Sequence, residues 1–328
     1  MSTNLTPLPS PTRIPARIAK QQTPILFAVD RKAEKRFWEF FTANIRNKNT
    51  RMAYLTACYK FSDWCDSRGV DLEHVEPMIV AAYIETLTQT YSPATVKQHL
   101  AGIRMLYDWL VVGQIVSFNP ASSVRGPKHV VKTGKTPVLN PEEARELIES
   151  IDTSTVVGLR DRALIGVMIY SFARVSAAVS MLVKDYYHQG RRSFFRLHEK
   201  GGKYQSVPAH HVAQEYLDAY LEEAAIDDLP ASPLFRSSGR GRAQTLTDRS
   251  MTRHTAIQMV KRRSFDAGLP YEICNHSFRG TGITEYLRND GDLETAARIA
   301  GHESTRTTQL YNRINEELSL DEIERIRL

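Results

Sequence analysis

HSFRGTGITEYLRNDGDLETAARIAGHESTRTTQLY, residues 276–311, is the stretch from which the rest of the chain can be read. Its chemistry-bearing side chains run in the order His276, Arg279, His302, Tyr311, with 23 positions from Arg279 to His302 and nine from His302 to Tyr311. His276 and Arg279 are three apart, so at a helix start they share one face. Asn275 precedes them at or near a helix N-terminus, where backbone amides favour anions. Gly301 follows an apolar helix ending at Ala300 and fits a C-cap, which holds His302 at a junction. Taken singly each signal is weak: Tyr311 is one of 14 tyrosines, and an isolated HxxR pair is common. Two residues upstream complete the set. Arg174, in Ala173-Arg174-Val175-Ser176, follows a strongly apolar helix, where an unpaired cation is costly and a cleft or an ion pair is expected. Lys200, in Glu199-Lys200-Gly201-Gly202-Lys203, sits on a hairpin tip, with Lys203 as the competing lysine. Two arginines, two histidines, a lysine and a tyrosine are the groups a phenol needs to attack a phosphodiester. They supply cations for the phosphate, a base for the phenol and an acid for the leaving oxygen. Cys274, His276 and His302 match no common zinc spacing, so no metal site is assigned.

The chain has 328 residues, enough for two domains. Its hydrophobic content of 42% and charged content of 24% are those of a soluble globular protein. A net charge of +6 favours a polyanionic partner. The three cysteines, Cys58, Cys65 and Cys274, form no CxxC and no disulfide framework, which fits a reducing, cytoplasmic setting. No apolar run reaches membrane-spanning length, and the N-terminus has no signal-like apolar segment, so no membrane partner is expected.

Residues 1–29 are rich in Pro, Ser and Thr, contain no acid and read as a disordered basic arm. Residues 30–120 read as a bundle of four amphipathic helices. The first runs from Arg31 to Asn44, and the second is capped by Asn49-Thr50 and extends to Cys65. The third is opened by Pro77, and the fourth starts at Ser92-Pro93. Asn119-Pro120 ends this unit, and residues 121–138 read as a linker. Residues 139–328 form the second domain. Asn140-Pro141-Glu142-Glu143 predicts a capped helix start, Ala163–Phe172 a buried helix, and Ser193–His198 with Tyr204–Pro208 a hairpin. Helices are expected at 211–225, 250–267, 277–288, 293–300, 305–311 and 321–327. Cations concentrate in two places. The linker carries Arg125, Lys128, Lys132 and Lys135 with no acid. The stretch 236–263, read as loop then helix, carries eight Arg/Lys against Asp248 alone. Both suit a phosphate backbone.

Taken in order, these motifs resemble the tyrosine recombinase (phage integrase) family, over nearly the whole chain after residue 30. The carriers are Ala173–Ser176, Lys200–Lys203, His276–Arg279, Ala300–Ser304 and Thr307–Tyr311. Asn49–Tyr54, Ser92–Val96 and Asn119-Pro120 look like the family's core-binding domain. The resemblance implies a mainly α fold with a small antiparallel sheet. A helical, SAM-like core-binding domain precedes a mixed α/β catalytic domain, and the two form a C-shaped clamp on duplex DNA. It makes Tyr311 the nucleophile and Arg174, Lys200, His276, Arg279 and His302 the activating set. DNA contacts are expected from Arg51, Lys97, Lys128, Lys132, Lys203, Arg240, Arg242, Arg253 and Arg262.

The implied activity is site-specific recombination of a mobile element or replicon dimer through a 3′-phosphotyrosine. It needs no cofactor and takes place on paired inverted-repeat sites within a homotetramer. An amphipathic tail after Tyr311 would dock on a neighbouring subunit, and accessory proteins are left open. One departure stands out: the family usually has an acid three residues after the first arginine, and here that place is Ala177. Two other readings stay open, a type IB topoisomerase-like relaxing enzyme and a non-catalytic DNA-binding accessory protein.

Overall fold

A computed structural model describes residues 22–129, 134, 136–199, 202, 204–239, 245–270 and 272–312. They fall into two compact units, one up to residue 130 and the other from 131. The sequence expectations at Lys132, Lys200, Lys203, Arg240 and Arg242, on most of the N-terminal arm and on the tail beyond residue 312 lie outside the described residues.

The first unit is helical. Asp30 caps α1 (Arg31–Glu39), its side chain accepting from Ala33 N at 2.7 Å. The helix expected to run to Asn44 widens into a π turn at Phe40–Asn44. Phe37, Phe40 and Phe41 are all fully buried. Consecutive positions of a regular α-helix diverge by about 100°. The wider turn accommodates Phe40 and Phe41 in one core, edge to face at 4.8 Å. α2 (Lys48–Asp66) starts two to three residues earlier than the Asn49-Thr50 cap implied. Asn47 is the cap, and its side chain accepts from the amides of both Asn49 and Thr50. α3 (Pro77–Thr88) opens on proline as expected, and α4 (Pro93–Val112) is capped by Ser92. The core joins α2, α3 and α4 through Phe61, Tyr83, Leu106 and Tyr107. The first residues of the expected linker belong to this core: Ala121 is buried, and Arg104 donates to the Ala121 and Val124 carbonyls at 3.1 and 2.7 Å.

In the second unit α5 (Pro141–Glu149) has the predicted capping box between Asn140 and Glu143. α6 (Val156–Tyr170) begins earlier than expected, because Thr155 caps it and residues 158–162 are already helical. It is buried along most of its length, between α8 and α10. α7 (Val175–Val179) follows directly, and then a three-stranded antiparallel meander of β1 (Tyr186–Gln189), β2 (Arg192–His198) and β3 (Tyr204–Pro208). Phe195 pairs with Tyr186 on one side and Val207 on the other. α8 (His211–Ala224) leads to a second, two-stranded sheet of β4 (Arg236–Ser238) and β5 (Leu246–Ser250). Here the sequence reading is corrected. The segment read as loop forms strands, and the next helix, α9 (Arg253–Asp266), begins after Thr252 rather than at Ser250. Strands this short and polar show no alternation from which to infer them. α10 (Asn275–Arg288), α11 (Leu293–Ile299) and α12 (Thr305–Gln309) complete the described chain. α10 lies close against α6: a Cβ on Gly282 would fall 2.0 Å from the Ile169 carbonyl oxygen.

Candidate active site

Arg279, about one turn into α10, points into the core and is 1% exposed. A buried guanidinium must spend its donors. Arg279 Nη1 donates to the Phe172 carbonyl at the end of α6. Its Nη2 donates to the Ala300 carbonyl at 2.6 Å and to His302 Nε2 at 2.7 Å. Each hydrogen bond to a charged group contributes about 1.5–3 kcal/mol. Arg279 therefore ties α6, α10 and the turn after α11 into one frame. Burial, followed by the charge of Arg174, lowers its pKa to about 10, while Tyr311 and Glu199 act in the opposite direction.

His302 is placed by Gly301, which adopts the left-handed conformation at φ +58° expected of a helix C-cap. Arginine can only donate, so His302 Nε2 accepts from it and the ring proton sits on Nδ1. There it faces Thr308 Oγ1 at 2.8 Å, and Thr308 is fully buried at the end of α12. Burial and the Arg279 and Arg174 charges push the His302 pKa down to about 4, consistent with this neutral tautomer. In this arrangement His302 orients Arg279.

Tyr311 follows α12 and is 6% exposed. Its ring stacks on His302 (centroids 6.2 Å apart, planes 8° apart), and its phenol meets His276 Nε2 at 2.5 Å. Its carbonyl accepts from Thr284 Oγ1 at 3.0 Å. A side chain on Gly280 would crowd the same ring at 3.4 Å. His276 stands exposed in the first turn of α10, and partial burial together with the Arg279 and Arg174 charges lowers its pKa. At neutral pH it is thus a free base with a lone pair beside the phenol. Arg174, the residue preceding α7, is one-third exposed and pairs through Nη1 with the carboxylate of Glu199 at the end of β2. A Cβ on Gly301 would lie 3.9 Å from Arg174 Nη1, so this arginine borders the His302 turn.

The structure thus gathers Arg174, His276, Arg279, His302 and Tyr311. Of the expected DNA contacts, Lys97, Lys128 and Arg253 are exposed. Arg51 is turned inward, its Nε and Nη2 donating to the Ile45 carbonyl at 3.0 and 2.6 Å. Arg262 is half-exposed and bonds Asp161 at 3.1 Å.

Several residues escaped the sequence reading. Glu199 was passed over beside Lys200. Thr308 sits in a polar helix with nothing to mark it as buried. Asp161 is fully buried on α6, where its carboxylate accepts from Arg160, Arg262 and Arg263. An Arg-Asp-Arg triplet inside an apolar run was the available sign. Gln205 on β3 donates to the Arg298 and Ile299 carbonyls at 2.6 and 2.9 Å, pinning the sheet to the end of α11.

Among the described residues no helix is long and apolar enough to cross a membrane, and no group of three or more His, Cys, Asp or Glu gathers as metal ligands do.

Comparison with known proteins bears on this arrangement. The chain matches the model of the phage integrase family over residues 137–317 and that of the phage integrase N-terminal SAM-like domain over residues 35–115. It is 27% identical over 270 residues to tyrosine recombinase XerD of Pseudomonas aeruginosa, covering 81% of this chain and 87% of that one. It is 30% identical over 241 residues to tyrosine recombinase XerC of Myxococcus xanthus, covering 72% and 76%. In fold it resembles XerH site-specific recombinase bound to a palindromic difH substrate in a post-cleavage complex (TM-score 0.67, 18% identity, 90% of this chain and 88% of that one). It also resembles a lambda integrase dimer bound to a core site (TM-score 0.65, 15% identity, 93% and 85%). A two-part match spanning most of the chain, on a helical domain followed by a mixed catalytic domain, establishes that the protein belongs to the phage integrase family of tyrosine recombinases, enzymes of DNA strand transfer.

Proposed function

We propose that the protein is a site-specific DNA recombinase that cleaves and rejoins duplex DNA through a 3′-phosphotyrosine at Tyr311. The observation that carries this reading is the 2.5 Å contact between the Tyr311 phenol and a His276 held as free base, beside Arg174 and Arg279. A phenol with a pKa near 10 needs a base to attack at neutral pH. Tyr311 Oη bonds to the scissile phosphorus as its proton passes to His276 Nε2. The guanidinium groups of Arg174 and Arg279 face the non-bridging oxygens, where negative charge grows in the phosphorane. The bond from phosphorus to the 5′-oxygen then breaks, and that oxygen takes a proton. The family resemblance assigns its delivery to Lys200. The ester energy is retained, so a 5′-hydroxyl from a second duplex reverses the step and releases Tyr311.

Supporting context comes from the relatives: XerH and lambda integrase are described bound to their DNA sites, the latter also as a tetramer on a Holliday junction. For this chain we take the partners to be inverted-repeat duplex DNA and three further copies of itself, acting in the cytoplasm. Integration, excision and resolution are all served by this chemistry.

The test is covalent trapping. Protein is mixed with sheared DNA from its own source and denatured in detergent, and the protein-linked ends are sequenced, with Tyr311→Phe in parallel. The expected result is adducts on 3′ ends at a shared inverted repeat, absent from the variant. Adducts scattered without a common sequence would instead favour a relaxing enzyme. Absence of adducts from wild-type protein that still binds DNA would refute the catalytic reading.

A further inference from the structure

We propose that Glu199 is a positioning residue for Arg174, supplying from the end of β2 the acidic partner that α7 does not provide. This rests on the reading of Tyr311 as nucleophile and extends it to a residue outside the expected catalytic set.

Three observations carry the inference. First, Arg174 stands at the N-terminal end of α7, and the position one turn on is Ala177, which is buried at 1% exposure and has no polar atom to offer. Arg174 Nη1 instead donates to the Glu199 carboxylate. Among the described residues that is its hydrogen bond and its ion pair. Second, the Glu199 side chain is 9% exposed. A carboxylate so far from water is costly unless paired, so Glu199 and Arg174 hold each other in place. Because the pair engages one terminal nitrogen, Nε and Nη2 of Arg174 are left for two phosphate oxygens. Third, Glu199 acts on the whole site. Its charge opposes the lowering of the Arg279 pKa by Arg174. With His276 and His302 neutral, the site carries two guanidinium charges and one carboxylate. With Lys200 added, one positive charge remains once the scissile phosphate is bound, and the charge that develops on attack is met by arginines already aimed.

The geometry around the pair is fixed on both sides. A Cβ on Gly301 would lie 3.8 Å from Glu199 Cγ and 2.9 Å from Gln205 Oε1. Gln205 in turn holds the end of α11. The carboxylate therefore sits against the turn that carries His302, and a shift in one displaces the other.

The experiment uses the full-length protein with sheared DNA of its source organism at saturating concentration, measuring the rate of adduct formation and, separately, DNA affinity. Glu199→Gln is expected to slow adduct formation on the order of 10- to 100-fold, the scale on which misplacement of a catalytic group acts. DNA affinity should be unchanged or slightly tighter, since a negative charge near the phosphate is gone. Glu199→Asp should recover most of the rate. Arg174→Lys with Glu199→Gln should be no slower than Arg174→Lys alone, because Glu199 acts through Arg174. A Glu199→Gln rate within about twofold of wild type, or a defect that multiplies with that of Arg174→Lys, overturns the proposal. If Glu199→Gln proves unfolded, Glu199→Asp in the same Arg174→Lys comparison decides the matter. Loss of adducts from the wild-type protein itself would instead strike the reading of Tyr311, and the two failures are thereby distinguished.

Discussion

Exchanging Asp161 for asparagine should markedly destabilise the second unit. The carboxylate is fully buried, with Oδ1 taking Arg160 Nε and Nη2 at 3.0 and 2.5 Å and Oδ2 taking Arg263 Nε and Nη2 at 3.0 and 2.8 Å. The Arg160 side chain is 1% exposed and that of Arg263 14%, whereas that of Arg262 is 52% exposed and adds little. An amide keeps the shape but removes the charge and turns a donor toward one guanidinium. Arg160 is then a buried cation without a counter-charge, a loss of about 3–5 kcal/mol. For a unit of this size each kcal/mol moves the midpoint by about 2–4 °C, so a fall of roughly 6–20 °C is expected. Circular dichroism is the appropriate probe. The three tryptophans, Trp38, Trp64 and Trp109, all lie in the first unit, and their fluorescence does not report on Asp161. Asp161 lies 11 residues before Phe172, whose carbonyl holds Arg279, so at low temperature the variant should still form adducts. A midpoint within about 2 °C of wild type would refute the argument that this carboxylate neutralises buried cations.

Three further outcomes are expected. Gly301→Ala forces a side chain into the left-handed region and toward Gln205. About 1–2 kcal/mol of stability should be lost, and adduct formation should fall with it, since the turn places His302. Neutral His302 has a folded-state pKa of about 4 against 6.5 unfolded. Its contribution is therefore full above pH 6.5 and is lost as pH falls toward 4. By linkage the loss is at most about 3 kcal/mol, and denaturant titrations of His302→Gln should show a shallower acid limb than wild type. Gln205→Ala removes two hydrogen bonds to α11 and should cost about 1–3 kcal/mol in the same titrations, with retained DNA binding.

Much of the site could be read in the chain because its residues lie at helix boundaries with marked spacing. Asn140 with Glu143, Pro77, Ser92 and Gly301 behave as their local chemistry dictates. What could not be read depends on contacts between distant segments. Asn47 rather than Asn49 caps α2, because the aromatic core fixes where the preceding turn ends. β4 and β5 are stabilised by pairing with each other and not by any apolar pattern of their own. Glu199 gains its role from Arg174, 25 residues away, and Asp161 from arginines about 100 residues away. Apart from Arg160 beside Asp161, these partners lie too far along the chain for a local pattern to pair them.

α12 is a single turn of helix. A helix of that length does not persist by itself, since nucleation costs more than one turn returns. It is retained by the Thr308 hydroxyl, by the Tyr311 ring in a small cluster with Phe172, Ile283, Leu287, Ala296 and Ala300, and by the Gly134 amide on the Leu310 carbonyl. Arg279 and His276, by contrast, stand on α10, which packs against α6. Tyr311, the proposed nucleophile, can thus be withdrawn by a local opening while that frame stays folded. Hydrogen exchange should see this directly, with amides of residues 305–311 exchanging well before those of α6. On the proposed reading, a molecule built so can be silenced and rearmed at the cost of a few contacts while the rest of the second unit stays folded.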